Sequence, residues 1–341
     1  MPYAHIQNAL KGETDMLKCR QCRVCDGVAC RGEIPGVGGI GTGSSFTANV
    51  QAMQKVKLNL DVIADNAEMD TSCTLFGIDL SMPVFAAPIA GIRNNYGADM
   101  DDDAYTAAML DACQTLGIRG FTGDGIDADK LFAVSAKMID AHQGHGAVTI
   151  KPWVRSGIDE RVQILSSLNY ELAAMDIDAA GLPLLRAGKT PVETKNIEKL
   201  SYVKEKLHKP FIVKGIMTVH AALAAVQAGA DGIVVSNHGG RVLDGTPGTL
   251  DVLPEIVKAV KGKITILIDG GIRSGTDIFR CLAIGADGVL IGRPFALSAV
   301  NGGSEGLIQT AEKYRGELKQ AMRMTGCHTL KDITGDKVRM V

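Results

Sequence analysis

The sequence carries almost no excess charge, and it lacks any apolar run long enough to cross a membrane. Its 341 residues include 36 Lys and Arg against 38 Asp and Glu, a formal net charge of -2. This balance gives no reason to expect nucleic acid or a membrane surface as a partner. No segment approaches the roughly 18 apolar residues that a membrane span needs. The N-terminal stretch MPYAHIQNALKGETD also lacks the basic and apolar regions of a signal peptide, so we expect a cytoplasmic protein.

Disulfide bonds are not expected either. Cysteines in the cytoplasm stay reduced, so the eight cysteines of this chain are predicted to be thiols or metal ligands. The length is sufficient to bury a large core, and it suits one large α/β domain or two smaller ones.

Short apolar runs rich in β-branched residues alternate with amphipathic segments of helical length. Eight runs are predicted to be strands: 83–88, 119–124, 147–153, 172–178, 210–216, 231–237, 265–271 and 287–293. Near-continuous apolar runs are typical of strands buried on both faces, as in a parallel sheet. Eight β/α units favour a TIM (β/α)8 barrel over a doubly wound sheet. We expect residues 51–341 to form this barrel and residues 1–50 to form a cysteine- and glycine-rich extension.

Polar residues gather where these predicted strands end. In a barrel of this type the catalytic groups lie at the carboxyl ends of the strands and in the loops that follow. The strand ends carry Lys151, Asp176, Asp178, Lys214, Ser236 to Arg241, Asp269 to Arg273, and Gly292-Arg293. One such group is explained equally well as a loop charge or a helix cap, but the whole set indicates an active site.

The last two strand ends have the features of an anion site. The stretch DGGIRSG (269–275) combines glycines, which let backbone amides approach a ligand, with the cation Arg273. The stretch IGRP (291–294) repeats this combination with Arg293. Loops after strands seven and eight of a barrel commonly hold phosphate, so we predict a phosphate group here.

From about residue 80 to 335 the chain resembles the FMN-dependent α-hydroxy acid dehydrogenases and oxidases, the relatives of glycolate and lactate oxidases. The matching stretches are MPVFAAPIAG, DIDA, VKGI, SNHGGR, LDGTPGTLDVLPEI, IDGGIRSGTDI and ADGVLIGRPF. SNHGGR is the most specific of them. Type 2 isopentenyl diphosphate isomerase, which also holds FMN, is similar more distantly.

The resemblance implies FMN as cofactor and a small-molecule 2-hydroxy acid, oxidised to the 2-oxo acid or formed from it, as substrate. It implies that His238 is the base, that Asp178 orients it, and that Arg241 clamps the substrate carboxylate. The implied flavin-binding residues are Pro88, Ile89, Ala90, Asp176, Lys214, Ser236, Asp269, Gly271, Arg273, Gly292 and Arg293. A homotetramer is the family's usual assembly, and an isomerase without net redox change is the alternative function.

The chain departs from the family's pattern at the substrate side. Lys151 and Trp153 stand where the family has glutamine and tyrosine, and Asp176 stands where a threonine contacts the flavin. Arg186 lies one place from the expected second arginine. We expect Lys151, Trp153 and Arg186 to contact the substrate, whose identity the sequence leaves open.

The resemblance does not explain a cysteine run near the N-terminus. Cys19, Cys22, Cys25 and Cys30 follow the spacing C-x2-C-x2-C-x4-C, which resembles a ferredoxin motif with a longer last gap. Four thiolates complete an iron–sulfur cubane or a tetrahedral zinc site. Three interpretations stay open: a [4Fe–4S] cluster, zinc, or reduced thiols in a flexible arm. A cluster would imply that electrons leave to an acceptor protein, and it requires the segment to fold over the barrel mouth.

A glycine-rich stretch beside this run matches a dinucleotide-binding fingerprint. GVGGIG (36–41) fits G-x-G-x-x-G, but that motif requires a strand before it and a helix opening at its end. Here the cysteine run and Glu33-Ile34-Pro35 precede it. We therefore predict a loop leading into the barrel rather than a nicotinamide site.

Overall fold

A closed barrel of eight parallel strands forms the body of the molecule. The structure is a computed structural model that describes residues 19–34, 36–125, 127–182, 185 and 191–341. The barrel strands, numbered in chain order after three short strands, are β4 (Val84–Ile89), β5 (Arg119–Thr122), β6 (Ala147–Ile150), β7 (Leu172–Asp176), β8 (Phe211–Ile216), β9 (Gly232–Val235), β10 (Thr265–Ile268) and β11 (Gly288–Ile291). They close in the order β10-β11-β4-β5-β6-β7-β8-β9. The predicted TIM barrel is confirmed; seven of the predicted runs contain one strand each, and β4 extends one residue past the run 83–88.

The barrel interior is a packed apolar core. Side chains from alternate strand positions, with Phe85 and Phe121 in edge-to-face contact at 5.5 Å, fill the centre. The short strands β2 (Cys73–Leu75) and β3 (Ile78–Leu80) form a hairpin that packs against this core. Because strands buried on both faces need apolar side chains throughout, the runs lack polar alternation until each strand ends.

Ten helices are described outside the barrel strands. They are α1 (Ser44–Gln54), α2 (Ile92–Tyr96), α3 (Asp102–Leu116), α4 (Ala133–Ala141), α5 (Arg155–Leu165), α6 (Ile197–Leu207), α7 (Val219–Gln227), α8 (Thr249–Val260), α9 (Gly275–Ile284) and α10 (Arg293–Arg323), which is interrupted at Gly302 and Gly303. Side-chain caps begin several of them, as where Ser274 accepts from the Asp277 amide. Within the described ranges, no helix combines the length and apolar character needed to span a membrane.

The cysteine-rich segment packs over the carboxyl end of the barrel. The Cys19 amide donates to the Tyr96 carbonyl at 3.3 Å, and the Ile40 amide donates to the Gly240 carbonyl at 2.8 Å. Residues 36–43, which contain the glycine-rich stretch, form turns rather than a strand-to-helix junction. Helix α1 then continues through the predicted boundary at residues 50 and 51. At the other end of the chain, β1 (Val56–Leu58) pairs antiparallel with β12 (Val338–Met340).

Candidate active site

A cavity of about 330 Å³ opens at the carboxyl ends of the barrel strands. Twelve of the predicted site residues line it: Pro88, Ile89, Ala90, Lys151, Lys214, His238, Arg241, Asp269, Gly271, Arg273, Gly292 and Arg293. Asp176, Asp178 and Ser236 lie behind this wall, each bonded to a lining residue. Arg186 lies outside the described residues. The predicted strand ends therefore meet at one site.

His238 and Asp178 form a hydrogen-bonded pair at this cavity. Nδ1 of His238 lies 2.9 Å from Oδ1 of Asp178, and the side chains are mostly buried. Burial lowers the pKa of His238 below its ordinary value, and the charge of Lys214 acts in the same direction, although Asp178 opposes them. Burial would raise the pKa of Asp178, but His238 and Lys214 outweigh it and hold that pKa low. The pair is therefore a neutral imidazole held by a carboxylate.

The turn that presents His238 is strained and requires the two glycines after it. His238, Gly239 and Gly240 have φ values of 57°, 64° and 78°, all in the left-handed region. A Cβ on Gly239 would lie 2.5 Å from Nη1 of Arg293, and one on Gly240 would lie 2.5 Å from the Phe46 amide nitrogen. Strain of this kind is common at functional sites, where the surrounding packing maintains it. It brings both His238 and Arg241 to the cavity.

Lys214 is the buried cation at the end of β8. Its Nζ lies 3.2 Å from Asp269 and donates to the Ser236 hydroxyl at 3.0 Å. Burial alone would lower the pKa of Lys214, but the carboxylates of Asp269, Asp178 and Asp176 outweigh it, so that pKa is raised. Lys214 therefore keeps a positive charge at the cavity wall throughout the ordinary pH range.

Arg241 presents unused hydrogen-bonding capacity. Its Nη2 donates to Oδ1 of Asn95 at 2.7 Å, while its buried Nε has no partner among the described residues. Burial lowers the pKa of Arg241 to about 10, and the neighbouring Arg293 contributes, but the group stays charged at neutral pH. A guanidinium held this way suits a carboxylate, which accepts two parallel hydrogen bonds.

Arg273 and Arg293 form the cationic end of the cavity. They lie against the ring of Phe46, with guanidinium carbons 5.7 Å and 3.9 Å from its centroid. Nη2 of Arg273 is buried and, in the part of the chain that the structure describes, has no partner. Gly271, with φ 82°, approaches Asn49 too closely for any side chain. Two cations and a glycine-rich backbone make this end an anion site.

The side of the cavity at β5 and β6 differs from the prediction. Lys151 forms an ion pair with Asp176 at 2.5 Å, so the ammonium of Lys151 balances the charge of the Asp176 carboxylate. Trp153, in contrast, does not line the cavity: its buried indole donates to Oδ2 of Asp124 at 2.6 Å and lies 4.6 Å from the guanidinium carbon of Arg161. The position of Trp153 therefore does not support the predicted contact between its side chain and the substrate.

Three residues at the site escaped the sequence analysis. Asp124 lines the cavity, and its buried Oδ1 has no partner in the described part of the chain. Its place just after β5 was the feature of the sequence that could have identified it. Asn95 orients Arg241 from helix α2, and Phe46 supports both phosphate-site arginines from α1. Neither of these two stands at a strand end, so no local pattern marked them.

Comparison with known proteins agrees with this geometry. The sequence model of the FMN-dependent dehydrogenases matches residues 37–183 and 187–340. The chain belongs to the FMN-dependent dehydrogenase family. The predicted resemblance is thereby confirmed. The predicted function, an FMN-dependent oxidoreductase that acts on 2-hydroxy acids, is confirmed as well, and it is supported over the isomerase alternative.

Relatives in this family carry both oxidase and dehydrogenase names. A peroxisomal (S)-2-hydroxyacid oxidase from Arabidopsis thaliana is 32% identical over 89% of this chain and 90% of its own length. An L-lactate dehydrogenase from Serratia proteamaculans is 29% identical over 88% of this chain and 92% of its own length. A mandelate oxidase structure with an FMN adduct has a TM-score of 0.76 and 28% identity, over 89% of this chain and 94% of the other.

The residues of the cavity fit FMN, the cofactor of this family. The cationic end, with the free Nη2 of Arg273, suits a phosphate. Lys214 supplies a positive charge, and β4 contributes the backbone of Pro88 to Ala90 to the wall. Oδ1 of Asp269 is buried and has no partner among the described residues, so it is a further acceptor for the polar edge of the flavin ring. Each of these features matches a part of the flavin nucleotide.

The four N-terminal cysteines lie beside this cavity rather than in it. Cys19, Cys22, Cys25 and Cys30 are free thiols and line a second cavity, of about 50 Å³. Arg273 donates to the Cys25 carbonyl at 3.2 Å, so the segment reaches the cationic end of the main cavity. The fold over the barrel mouth, which a role in electron transfer requires, is therefore present.

Proposed function

We propose that this protein oxidises a 2-hydroxy acid to the 2-oxo acid, with His238 as base and Arg241 as carboxylate clamp. The observation that carries the proposal is that both side chains line one cavity, which Arg273 and Arg293 line as well. A 2-hydroxy acid carries its hydroxyl and carboxylate on neighbouring carbons. One small molecule can therefore meet the imidazole and the guanidinium together.

His238 acts as the proton acceptor because its environment keeps it neutral. Asp178 is ionised, so Nδ1 of the imidazole donates to it, and Nε2 is left to accept a proton from the substrate. The imidazolium that forms is stabilised by the same carboxylate. Bound FMN supplies the two-electron oxidant.

Lys214, Arg273 and Arg293 are proposed to hold the cofactor. Lys214 would lie against the flavin, where its fixed positive charge would favour the reduced, anionic form of the cofactor. Arg273 and Arg293 bind the phosphate through charge-assisted hydrogen bonds. The Lys151–Asp176 pair removes a carboxylate charge that would oppose this reduction.

The decisive experiment measures bound flavin and its reduction. We expect purified protein to contain about one FMN per chain and to lose its visible absorbance when a 2-hydroxy acid is added anaerobically. Replacing Arg273 and Arg293 together by alanine should weaken FMN binding by a factor of roughly 10² or more, since two charged hydrogen-bonding groups of about 1.5–3 kcal/mol each are lost. Arg280→Ala, whose side chain bonds Val56 and Asp277 instead, is the control. Protein that takes up no FMN refutes the proposal.

We further propose a cytoplasmic homotetramer whose four N-terminal cysteines hold a metal centre and whose electron acceptor is a protein. All eight cysteines are free thiols and seven of them, all but Cys22, are partly or fully buried, which supports the proposal of a reducing compartment. Cell fractionation and sedimentation velocity test location and assembly. A monomer at micromolar concentration contradicts the assembly.

A further inference from the structure

Four cysteines line one small cavity. The cavity of about 50 Å³ is lined by Cys19, Cys22, Cys25, Cys30, Arg20, Gln21, Asp26, Gly27, Ala29, Val37, Phe46, Arg293 and Leu297. The match to the family model begins at residue 37, after all four of these cysteines. A cavity with four potential thiolate ligands is therefore unassigned.

The loop that carries the cysteines is held by contacts that involve no thiol. Arg20 forms a salt bridge with Glu33 and donates to the Ala29 carbonyl, which closes the loop. Arg273 anchors the Cys25 carbonyl to the barrel. A Cβ on Gly38 would lie 1.7 Å from the Cys30 carbonyl oxygen, so the backbone is closely packed there. The thiols are therefore arranged around the cavity by the fold, which disfavours the interpretation as a free arm.

The size of the cavity distinguishes a cluster from a single metal ion. A tetrahedral zinc ion with Zn–S bonds of about 2.3 Å brings its sulfurs to about 3.8 Å from one another. Within the described residues, no three cysteine sulfurs lie within 4.8 Å of one another; the group that does so is Asp176, Asp178 and His238. One water molecule needs about 10–15 Å³, so 50 Å³ is several times the room for a single ion. Both observations disfavour a single zinc ion, and the centre of several metal ions that four thiolates also complete is the remaining metal site.

We propose that Cys19, Cys22, Cys25 and Cys30 ligate a [4Fe–4S] cluster in this cavity. Four thiolates around the cluster create a net negative charge, and the half-buried guanidinium of Arg293 in the cavity wall partly offsets it. Arg293 and Val37 line both cavities. The cluster is thus separated from the phosphate end of the flavin site by a single layer of side chains.

This position gives the electrons a route out of the active site, a step that rests on the proposed function. Oxidation of the hydroxy acid breaks its C–H and O–H bonds, forms the C=O bond and delivers two electrons to the flavin site. The electrons leave one at a time through the cluster to two equivalents of an oxidised one-electron acceptor protein. The two protons are released to solvent.

Iron and sulfide analysis of the full chain, purified without oxygen, tests the site. We expect about four iron and four sulfide per chain. Cys22→Ser should lose at least half of both, and Cys73→Ser, which changes a partly buried cysteine on β2 outside the cavity, should retain them. Circular dichroism verifies that each variant is folded. One zinc per chain overturns the proposal. A chain that holds neither iron nor zinc after incubation with iron and sulfide overturns it as well.

Electron exit has a separate measurement. Flavin bleaching by the hydroxy acid and reduction of cytochrome c, as the one-electron acceptor, are recorded on the same holoenzyme. The ratio of cytochrome c reduction to flavin bleaching should fall at least tenfold in Cys22→Ser and stay within twofold in Cys73→Ser. An unchanged ratio in Cys22→Ser overturns the route. Failure of the parent to bleach with any hydroxy acid refutes the proposed function instead and leaves the iron result standing.

Discussion

Replacing Asp178 by asparagine separates the charge of this carboxylate from its shape. The carboxylate contacts the imidazole of His238 at 2.9 Å, with both side chains mostly buried. Two unit charges about 4 Å apart interact by about 4 kcal/mol at an effective dielectric constant of 20. Since each 1.36 kcal/mol changes a rate about tenfold, loss of this charge should slow proton abstraction by about 10³. Asparagine can also hold the imidazole in the wrong tautomer, which adds to the loss.

The assay is anaerobic stopped-flow reduction of the flavin across a range of pH. Asp178 raises the pKa of His238 against the lowering effects of burial and Lys214. Its loss should therefore move the acid limb of the rate profile to still lower pH while the plateau falls. Asp111→Asn is the matched control, because Asp111 contacts His142 at the same distance of 2.9 Å on the surface. A plateau unchanged in Asp178→Asn, or an acid limb that moves upward, refutes this account of the pair.

Three further predictions test the site and its support. The acid limb of flavin reduction should have its midpoint below about 6.5, because His238 must be neutral and its pKa lies below the ordinary value; a midpoint above 6.5 contradicts this. Arg241→Lys should raise the dissociation constant of the 2-hydroxy acid by roughly tenfold or more in equilibrium titrations, since a point charge replaces a two-pronged donor; unaltered affinity means that the carboxylate binds elsewhere. Phe46→Ala should reduce the free energy of unfolding by about 3–5 kcal/mol in urea titrations, as for other buried aromatics. The exposed Leu223→Ala is its control, and equal stability of the two variants would contradict the role of Phe46.

Aromatic support of two arginines illustrates what a local pattern could not reveal. Phe46 precedes Arg273 by more than two hundred residues, and nothing in its neighbourhood in the sequence differs from an ordinary helix start. Contact between them arises because α1 lies across the carboxyl end of the barrel beside the turn of His238. Trp153 is the opposite case, since its place after a strand predicted a site residue. A carboxylate and a guanidinium inside the wall, from Asp124 and Arg161, hold its ring away from the cavity.

The sequence by itself determined the barrel and the family, and it predicted the residues that we propose to bind flavin and to act as base. Strands buried on both faces require continuous apolar runs, and chemistry at their carboxyl ends requires polar groups where those runs stop, so both features are visible without coordinates. Only the tertiary structure decided that His238 and Arg241 line one cavity with Asp178 behind His238, and that Lys151 forms an ion pair with Asp176. It also decided that the four N-terminal cysteines surround a cavity against Arg293. Those facts depend on contacts between distant segments, whose distances and burial arise only when the chain closes on itself.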